Sequence, residues 1–393
     1  MTLMFFRLLA LAFLAASIAT PARADWASCL ASLQKSAAAA GIDQATIQSA
    51  TGNLEPNDAA TFIDQQPEFT TPIWDYMAAL VDDERVAEGR EMLRKWSQAL
   101  AAAEQRFGVD PATLVAVWGA ESDYGKGFGW RPVVQSLATL SCTPNRRQDA
   151  FRGEFVAAMK ILANGDVRPD EFKGSWAGAF GHTQFMPSTF LRMRIDLDGD
   201  GHSDIVGSIP DALGTTANFL RKSGWDASLP WGFEVKLPKD YSGPNGRGTR
   251  QPMSAWAGRG ITRIDGAPLG SGTAALILPA GNDGPAFLVT RNFDALFTYN
   301  NAIFYALAIG VLSDHLRGGK GIVTPWPTDD PGLSRTERKE LQTLLQQRGY
   351  QIGNIDGVLG AKTREAIADV QERAGMKRDG RAGVKLLDAL RGR

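Results

Sequence analysis

The chain has 393 residues, enough for two or three domains, and its 44% hydrophobic and 22% charged content is that of a globular protein rather than a disordered or fibrous one. A formal net charge of −1 gives no electrostatic case for a nucleic acid or an anionic membrane as partner. The three histidines are scattered, which argues against His182 as a metal ligand.

Arg7, the apolar run 8–19 and Thr20-Pro21-Ala22-Arg23-Ala24 form a short positive region, an apolar stretch too short to span a bilayer and an A-x-A cleavage site. Residues 1–24 are therefore expected to be a signal peptide, with an uncleaved anchor as the competing reading. The mature chain is expected to start at Asp25, exported and soluble. Trp26-Ala27-Ser28-Cys29 lacks the aliphatic residue that a lipidated cysteine requires. No later segment could cross a membrane. In an oxidising compartment an isolated cysteine pair is more often bridged than free, so a Cys29–Cys142 disulfide is expected over two buried thiols.

Residues 25–110 read as helical, with alanine-rich stretches at 37–40 and 99–103 and helical spacing over 85–105. Gln66-Pro67-Glu68-Phe69 and Thr71-Pro72-Ile73-Trp74-Asp75-Tyr76 predict a non-helical entry with exposed aromatics. Core packing is the alternative use of Trp74 and Tyr76.

Asp110 and Pro111 then open a helix as cap and first residue. Leu114, Val117, Trp118 and Glu121 fall on one face, apolar except for its last member, and Gly125 and Gly127 stop the helix. A carboxyl group at the end of a buried face has its pKa raised, as a general acid needs at neutral pH. The bland alternative is that Glu121 crosses the helix end into solvent. Asp123 points to another face and is a poor second acid. A single placed acid suits sugar chemistry in which the substrate supplies the nucleophile.

A helix over 148–163 carries Phe151, Phe155, Met159 and Leu162 on one side. Arg146-Arg147 at its start oppose the helix dipole, which a ligand or carboxylate would compensate; a solvated pair is the alternative. In Gly174-Ser175-Trp176-Ala177-Gly178-Ala179-Phe180-Gly181-His182-Thr183-Gln184-Phe185-Met186-Pro187-Ser188, glycines interleave with aromatics before Pro187 opens a helix. Either a ligand approaches the backbone here, with Ser175 and Gln184 as hydrogen-bonding partners, or the loop packs helices tightly. Asp196-Leu197-Asp198-Gly199-Asp200-Gly201-His202 matches the first half of a Ca²⁺ loop, with the His202 carbonyl at position 7. Position 12 is Gly207, so the loop must run on to Asp211 for its closing carboxylate. An unliganded acidic loop is the weaker reading.

A helix over 211–225 follows. Phe233-Glu234-Val235-Lys236-Leu237 reads as a strand, and 275–278 and 287–290 as a hairpin-like pair. The segment 297–305 leads into an apolar helix over 306–316. Residues 318–332 read as a linker. Residues 333–393 read as three short helices, with Leu341, Leu344 and Leu345, then Ala366, Ile367 and Val370, then Leu386, Leu387 and Leu390 facing inward.

The order of these pieces resembles the lytic murein transglycosylase B family. The resemblance is carried by Gln66-Pro67-Glu68-Phe69, Val117-Trp118-Gly119-Ala120-Glu121 with Tyr124-Gly125, Ala138-Thr139-Leu140, Arg146-Arg147, Gly174 to Ala179, Gly181 with 184–188, the aspartate loop with Asp211-Ala212, and Tyr299-Asn300. Through Gly349-Tyr350, Asp356-Gly357, Gly360, Thr363 and Asp379-Gly380, residues 333–393 resemble a three-helix peptidoglycan-binding domain.

The resemblance implies a mainly α (α+β) chain. It would comprise a signal peptide at 1–24, a lysozyme-like helical catalytic domain with a small inserted β-sheet at 25–317, a linker at 318–332 and a binding domain at 333–393. It implies non-hydrolytic cleavage of the MurNAc-β-1,4-GlcNAc bond of periplasmic peptidoglycan to 1,6-anhydro-MurNAc ends. Glu121 matches the sole catalytic acid. Ser175, Gln184, Tyr299, Asn300, Tyr305, Tyr76 and Arg146 match positions lining the sugar cleft. Asp196, Asp198, Asp200, His202 and Asp211 match a structural Ca²⁺ loop, here one residue longer before Asp211. No organic cofactor is implied, and a monomer is expected, with glycan strands and wall-synthesis proteins as partners. The competing readings are a hydrolytic muramidase, for which Asp265 or Asp294 would have to approach Glu121, and a non-catalytic wall-binding protein.

Overall fold

The computed structural model describes residues 21–63 and 71–392. Residues 1–20 of the expected signal segment and the motif Gln66-Pro67-Glu68-Phe69 lie outside the described residues. Among the described residues, the helices before the main sheet are α1 (Pro21–Ala39), α2 (Gln44–Thr51), α3 (Ile73–Leu80), α4 (Asp83–Lys95), α5 (Ser97–Phe107), α6 (Pro111–Ser122), α7 (Val133–Cys142), α8 (Gln148–Asn164), α9 (Pro187–Met193) and α10 (Ile209–Lys222). Two short strands, β1 (Arg131–Pro132) and β2 (Lys173–Gly174), pair antiparallel between them.

Helices α1, α2, α7, α8 and α9 enclose one core, built on residues such as Leu33, Ile47, Phe151, Phe155 and Phe190. The Cys29–Cys142 disulfide ties α1 to the last residue of α7, with a Cα–Cα separation of 5.7 Å. The second core is centred on α6. Asp110 caps this helix, accepting from Thr113 N at 3.1 Å, and Pro111 takes its first turn. Residues 112–119 are all buried, so α6 is apolar on every side rather than on the one face that its spacing suggests. A helix apolar all round lies inside a fold, and α4, α5, α10 and the later α13 (Ile303–Leu316) surround it. The structure also differs at Trp74 and Tyr76. They lie within α3, half-buried against this core, not on an irregular exposed entry, because Pro72 at the N-cap position directs the following residues into the helix.

The inserted sheet has β3 (Gly232–Lys236), β4 (Gln251–Pro252), β5 (Thr262–Arg263), β6 (Thr273–Ile277) and β7 (Ala286–Val289) in the antiparallel order β4-β6-β7-β3-β5, with α11 (Met253–Gly258) against it. The strand β6 pairs with β7 in the register Leu276↔Leu288. Both are buried on both faces, between the α6 core and a smaller cluster around Trp256. The chain returns through α12 (Arg291–Asn300) and α13 (Ile303–Leu316), which meet at a bend of 120°. The lead-in expected over 297–305 is thus two helix ends. Thr290 caps α12 by accepting from Asn292 N, and Asn301 at φ 52° stops it. Among the described residues no single helix is long and apolar enough to cross a membrane.

Residues 318–332 pack along the body. Glu234 accepts from Val323 N at 2.7 Å and Thr324 N at 2.8 Å, and Ile322 and Trp326 lie on the α6 core. The last unit holds α14 (Arg335–Gln347), α15 (Ala361–Arg373) and α16 (Val384–Arg391) around Leu341, Leu345, Ile367 and Leu387. Ser334 and Glu337 form a capping box on α14. Two buried glutamines fix its turns: Gln342 accepts from Gly357 N at 2.7 Å, and Gln371 accepts from Gly380 N at 2.8 Å. Two arginines dock this unit on the body. Arg381 donates to both oxygens of Asp75 at 2.7 Å. Arg335 reaches Asp123 at the end of α6.

Candidate active site

Glu121 occupies the last turn of α6. It lies deep in the protein yet keeps accessible surface, which makes it the floor of a cleft rather than a core residue. Tyr305, in the first turn of α13, donates its hydroxyl to Glu121 Oε1 at 2.6 Å. Tyr299, in the last turn of α12, stacks on Tyr305 with ring centroids 5.9 Å apart and donates to Thr183 O at 2.7 Å. The break at Asn301 is what lets two successive helices present stacked rings to one acid. Tyr76 joins them from α3, its ring 6.1 Å from that of Phe304.

Burial pushes the Glu121 carboxyl up to about 7, and the Tyr305 hydroxyl, which favours the charged form, pulls it partly back. Among the described residues no second carboxylate shifts it. Asp294 is held by Arg247 at 2.8 Å and by Arg250, and Asp265 by Arg263 at 2.6 Å. Among the described residues the site therefore has one acid, poised near neutrality, able to give a proton and take one back.

The stretch 174–188 meets Tyr299 through Thr183 and Phe185. A Cβ on Gly174 would stand 2.1 Å from Ala179 O, so only glycine fits that closure. Ser175 Oγ accepts from Ala179 N at 3.1 Å. Gln184, at φ 49°, donates to Gly181 O at 2.8 Å and to Phe128 O at 3.2 Å. The loop thus packs tightly and still turns Thr183 O toward Tyr299. Asn300 stands exposed at the end of α12 beside Tyr299, and Arg146 is exposed before α8. No contact joins either to Glu121.

Trp118, Ser122 and His182 form a hydrogen-bonded layer that residue spacing does not reveal. Trp118 Nε1 donates to His182 Nδ1 at 3.0 Å, and Ser122 Oγ donates to His182 O at 2.6 Å. Burial pulls the His182 imidazole down to about 4, so at neutral pH it is an uncharged plate between α6 and the 174–188 turn. The only sequence signal was a histidine set among glycines and aromatics.

In the aspartate loop, carboxylate oxygens of Asp196, Asp198 and Asp211 lie within 4.8 Å of one another. Asp211 is buried at the start of α10 and accepts from Leu197 N at 2.7 Å and Asp204 N at 2.9 Å. Asp196 accepts from Gly199 N at 2.6 Å and Gly201 N at 2.9 Å. Asp200 is not in this group of carboxylates, and its Oδ1 accepts from His202 N at 2.8 Å. Among the described residues no lysine or arginine pairs with these aspartates, and burial together with Asp198 holds the Asp211 carboxyl above the usual range. Three converging carboxylates without a counter-charge fit a hard divalent cation with oxygen ligands.

A helical body in which an acid poised near neutrality stands beside two stacked tyrosines fits the lysozyme-like class of glycan-cleaving enzymes. Residues 25–314 match the Transglycosylase SLT domain family and residues 334–390 match the Putative peptidoglycan binding domain family. The chain belongs to the transglycosylase SLT family, with a peptidoglycan-binding unit after it, and is a lytic transglycosylase, a lyase acting on peptidoglycan. It is 30% identical over 262 residues to membrane-bound lytic murein transglycosylase B of Escherichia coli K12, covering 65% of this chain and 71% of that protein. Its fold matches SltB3 from Pseudomonas aeruginosa in complex with NAG-anhNAM-pentapeptide, with a TM-score of 0.75, 42% identity and coverage of 93% of this chain and 99% of that one. It also matches the Escherichia coli lytic transglycosylase Slt35 in complex with calcium, with a TM-score of 0.65, 27% identity and coverage of 75% and 92%.

Proposed function

We propose that Glu121 alone carries the chemistry, and that the products end in 1,6-anhydro-MurNAc. The observation that supports this most strongly is an acid poised at about 7 that no carboxylate among the described residues shifts. Glu121 first gives its proton to the glycosidic oxygen, O4 of the leaving GlcNAc, as the bond from that oxygen to C1 of MurNAc breaks. The carboxylate then takes the proton of the muramoyl 6-hydroxyl as O6 bonds to C1. The acid is regenerated and no water enters. A hydrolase would instead place a second carboxylate or a held water opposite. That SltB3 binds NAG-anhNAM-pentapeptide supports the same product here.

Tyr305 and Tyr299 would bind and orient the sugar beside the acid. Tyr76, Ser175, Gln184, Asn300 and Arg146 would line the rest of the cleft. Asp196, Asp198 and Asp211 would hold a Ca²⁺ ion whose charge fixes the start of α10, a reading supported by the calcium complex of Slt35. Residues 25–317 would form the catalytic domain, 318–332 a packed connector and 333–393 the binding domain. Work in the periplasm is supported by the pattern of residues 1–24 and by the Cys29–Cys142 bridge.

The test is Glu121→Gln assayed on purified peptidoglycan. Lytic activity is expected to fall by about a thousandfold with folding unchanged, and a fully active variant contradicts the assignment.

A further inference from the structure

Immediately after Glu121 and Ser122 the backbone turns through two consecutive non-glycine residues in the left-handed region, Asp123 at φ 52° and Tyr124 at φ 58°. Side chains resist this conformation, so it persists only where the surroundings hold it. Tyr124 is held from inside the catalytic body. Its hydroxyl donates to Arg85 O at 2.8 Å, and its ring fills the space above Gly119, where a Cβ would come within 2.6 Å.

Asp123 is held from outside that body. Arg335, which opens α14 in the C-terminal unit, donates from Nη1 to Asp123 Oδ2 at 2.9 Å, and its Nη2 lies 2.8 Å from Oδ1. Arg335 is only 5% exposed. Around it converge Asp82, Glu84 and Glu88 at 3.9, 3.8 and 3.4 Å. The cations of the catalytic body stand farther from Asp123, Arg85 at 3.7 Å and Lys126 at 3.9 Å. Burying an arginine is costly unless it is paired. A unit that only tethers the enzyme to its substrate has no need to bury one at the C-cap of the helix bearing the acid.

We propose that Arg335 is a positioning residue for Glu121, and that the peptidoglycan-binding unit thereby completes the catalytic centre by clamping the turn that ends α6. The inference rests on Glu121 being the acid. Arg381 on Asp75 anchors the unit independently, so loss of Arg335 loosens the turn without releasing the unit.

The experiment uses the full chain and soluble, uncross-linked glycan strands, and compares Arg335→Ala, Arg335→Lys, Asp123→Asn and the Arg335→Ala/Asp123→Asn double variant, with Glu121→Gln alongside. Misplaced catalytic groups lower turnover more than binding. Arg335→Ala and Asp123→Asn are each expected to lower kcat about tenfold with KM changed less than about twofold. The double variant should be no worse than the poorer single one, and lysine at 335 should recover part of the loss. Should Arg335→Ala fail to fold, Asp123→Asn and Arg335→Lys carry the test. Wild-type kcat in both single variants, losses that multiply in the double variant, or a change confined to KM would overturn the clamp while an inactive Glu121→Gln leaves the acid in place. An active Glu121→Gln would overturn the underlying assignment instead.

Discussion

Tyr305 donates its hydroxyl to Glu121 Oε1 at 2.6 Å, across the junction between the first turn of α13 and the last turn of α6. The contact opposes burial: it favours the carboxylate, whereas the cleft floor favours the neutral acid. The balance leaves Glu121 at about 7 rather than higher. Burial thus sets the range in which the acid can act, and Tyr305, from a helix packed directly on α6, trims it downward.

Removing that hydroxyl should raise the Glu121 pKa. Protonation of Glu121 starts the reaction, so kcat falls as pH rises through its pKa. In Tyr305→Phe the charged form loses a hydrogen bond of about 1.5–3 kcal/mol, which moves the basic limb of the kcat profile up by about one to two pH units. A limb that stays in place or moves down would show that Tyr305 does not tune the acid.

Glu121 should also cost stability at the pH where it is ionised. Its folded pKa of about 7 lies above the ordinary 4.5. The penalty is absent below about 4.5, grows between 4.5 and 7, and is complete above 7. It amounts to at most about 3 kcal/mol. Glu121→Gln is expected to melt above the parent protein at pH 8 and level with it at pH 4.5. Equal melting temperatures at pH 8 would mean that the carboxylate is better solvated than its place on the cleft floor requires.

Asp196, Asp198 and Asp211 repel one another unless a cation sits among them. Chelation is expected to lower the melting temperature and added Ca²⁺ to restore it, with Mg²⁺ less effective because it demands a tighter octahedral shell. Asp211→Asn, which alters the most buried of the three, should abolish the response. Identical melts with chelator and with Ca²⁺ would remove the cation from the account.

The parts of the fold written in local chemistry were legible in the sequence. Asp110-Pro111 marks the start of α6, the β-branched and aromatic runs mark β3, β6 and β7, and the spacing of Leu341, Leu345 and Leu387 marks the last unit. Glu121 could be singled out because a carboxylate ending an apolar run is rare. What pattern could not supply was partnership over distance. The all-round burial of α6 comes from four other helices, and periodicity alone splits such a run into an inside and an outside that do not exist. The helices α12 and α13 merged into one lead-in because Asn301, in a left-handed conformation more common for glycine, breaks them without a glycine or proline to mark the place. Arg335 stood in the sequence as one exposed-looking arginine in a charged helix. Only the docked fold shows that its partner is the residue two positions after the acid.

The central claim is that one acid, with no second carboxylate and no water, closes the muramoyl 6-oxygen onto C1. It is tested most directly by mass spectrometry of the fragments released from purified peptidoglycan in ¹⁸O-labelled water. Muropeptides one water lighter than hydrolysis products, and free of ¹⁸O, are the predicted result. Reducing ends carrying ¹⁸O would contradict it and make the enzyme a hydrolase.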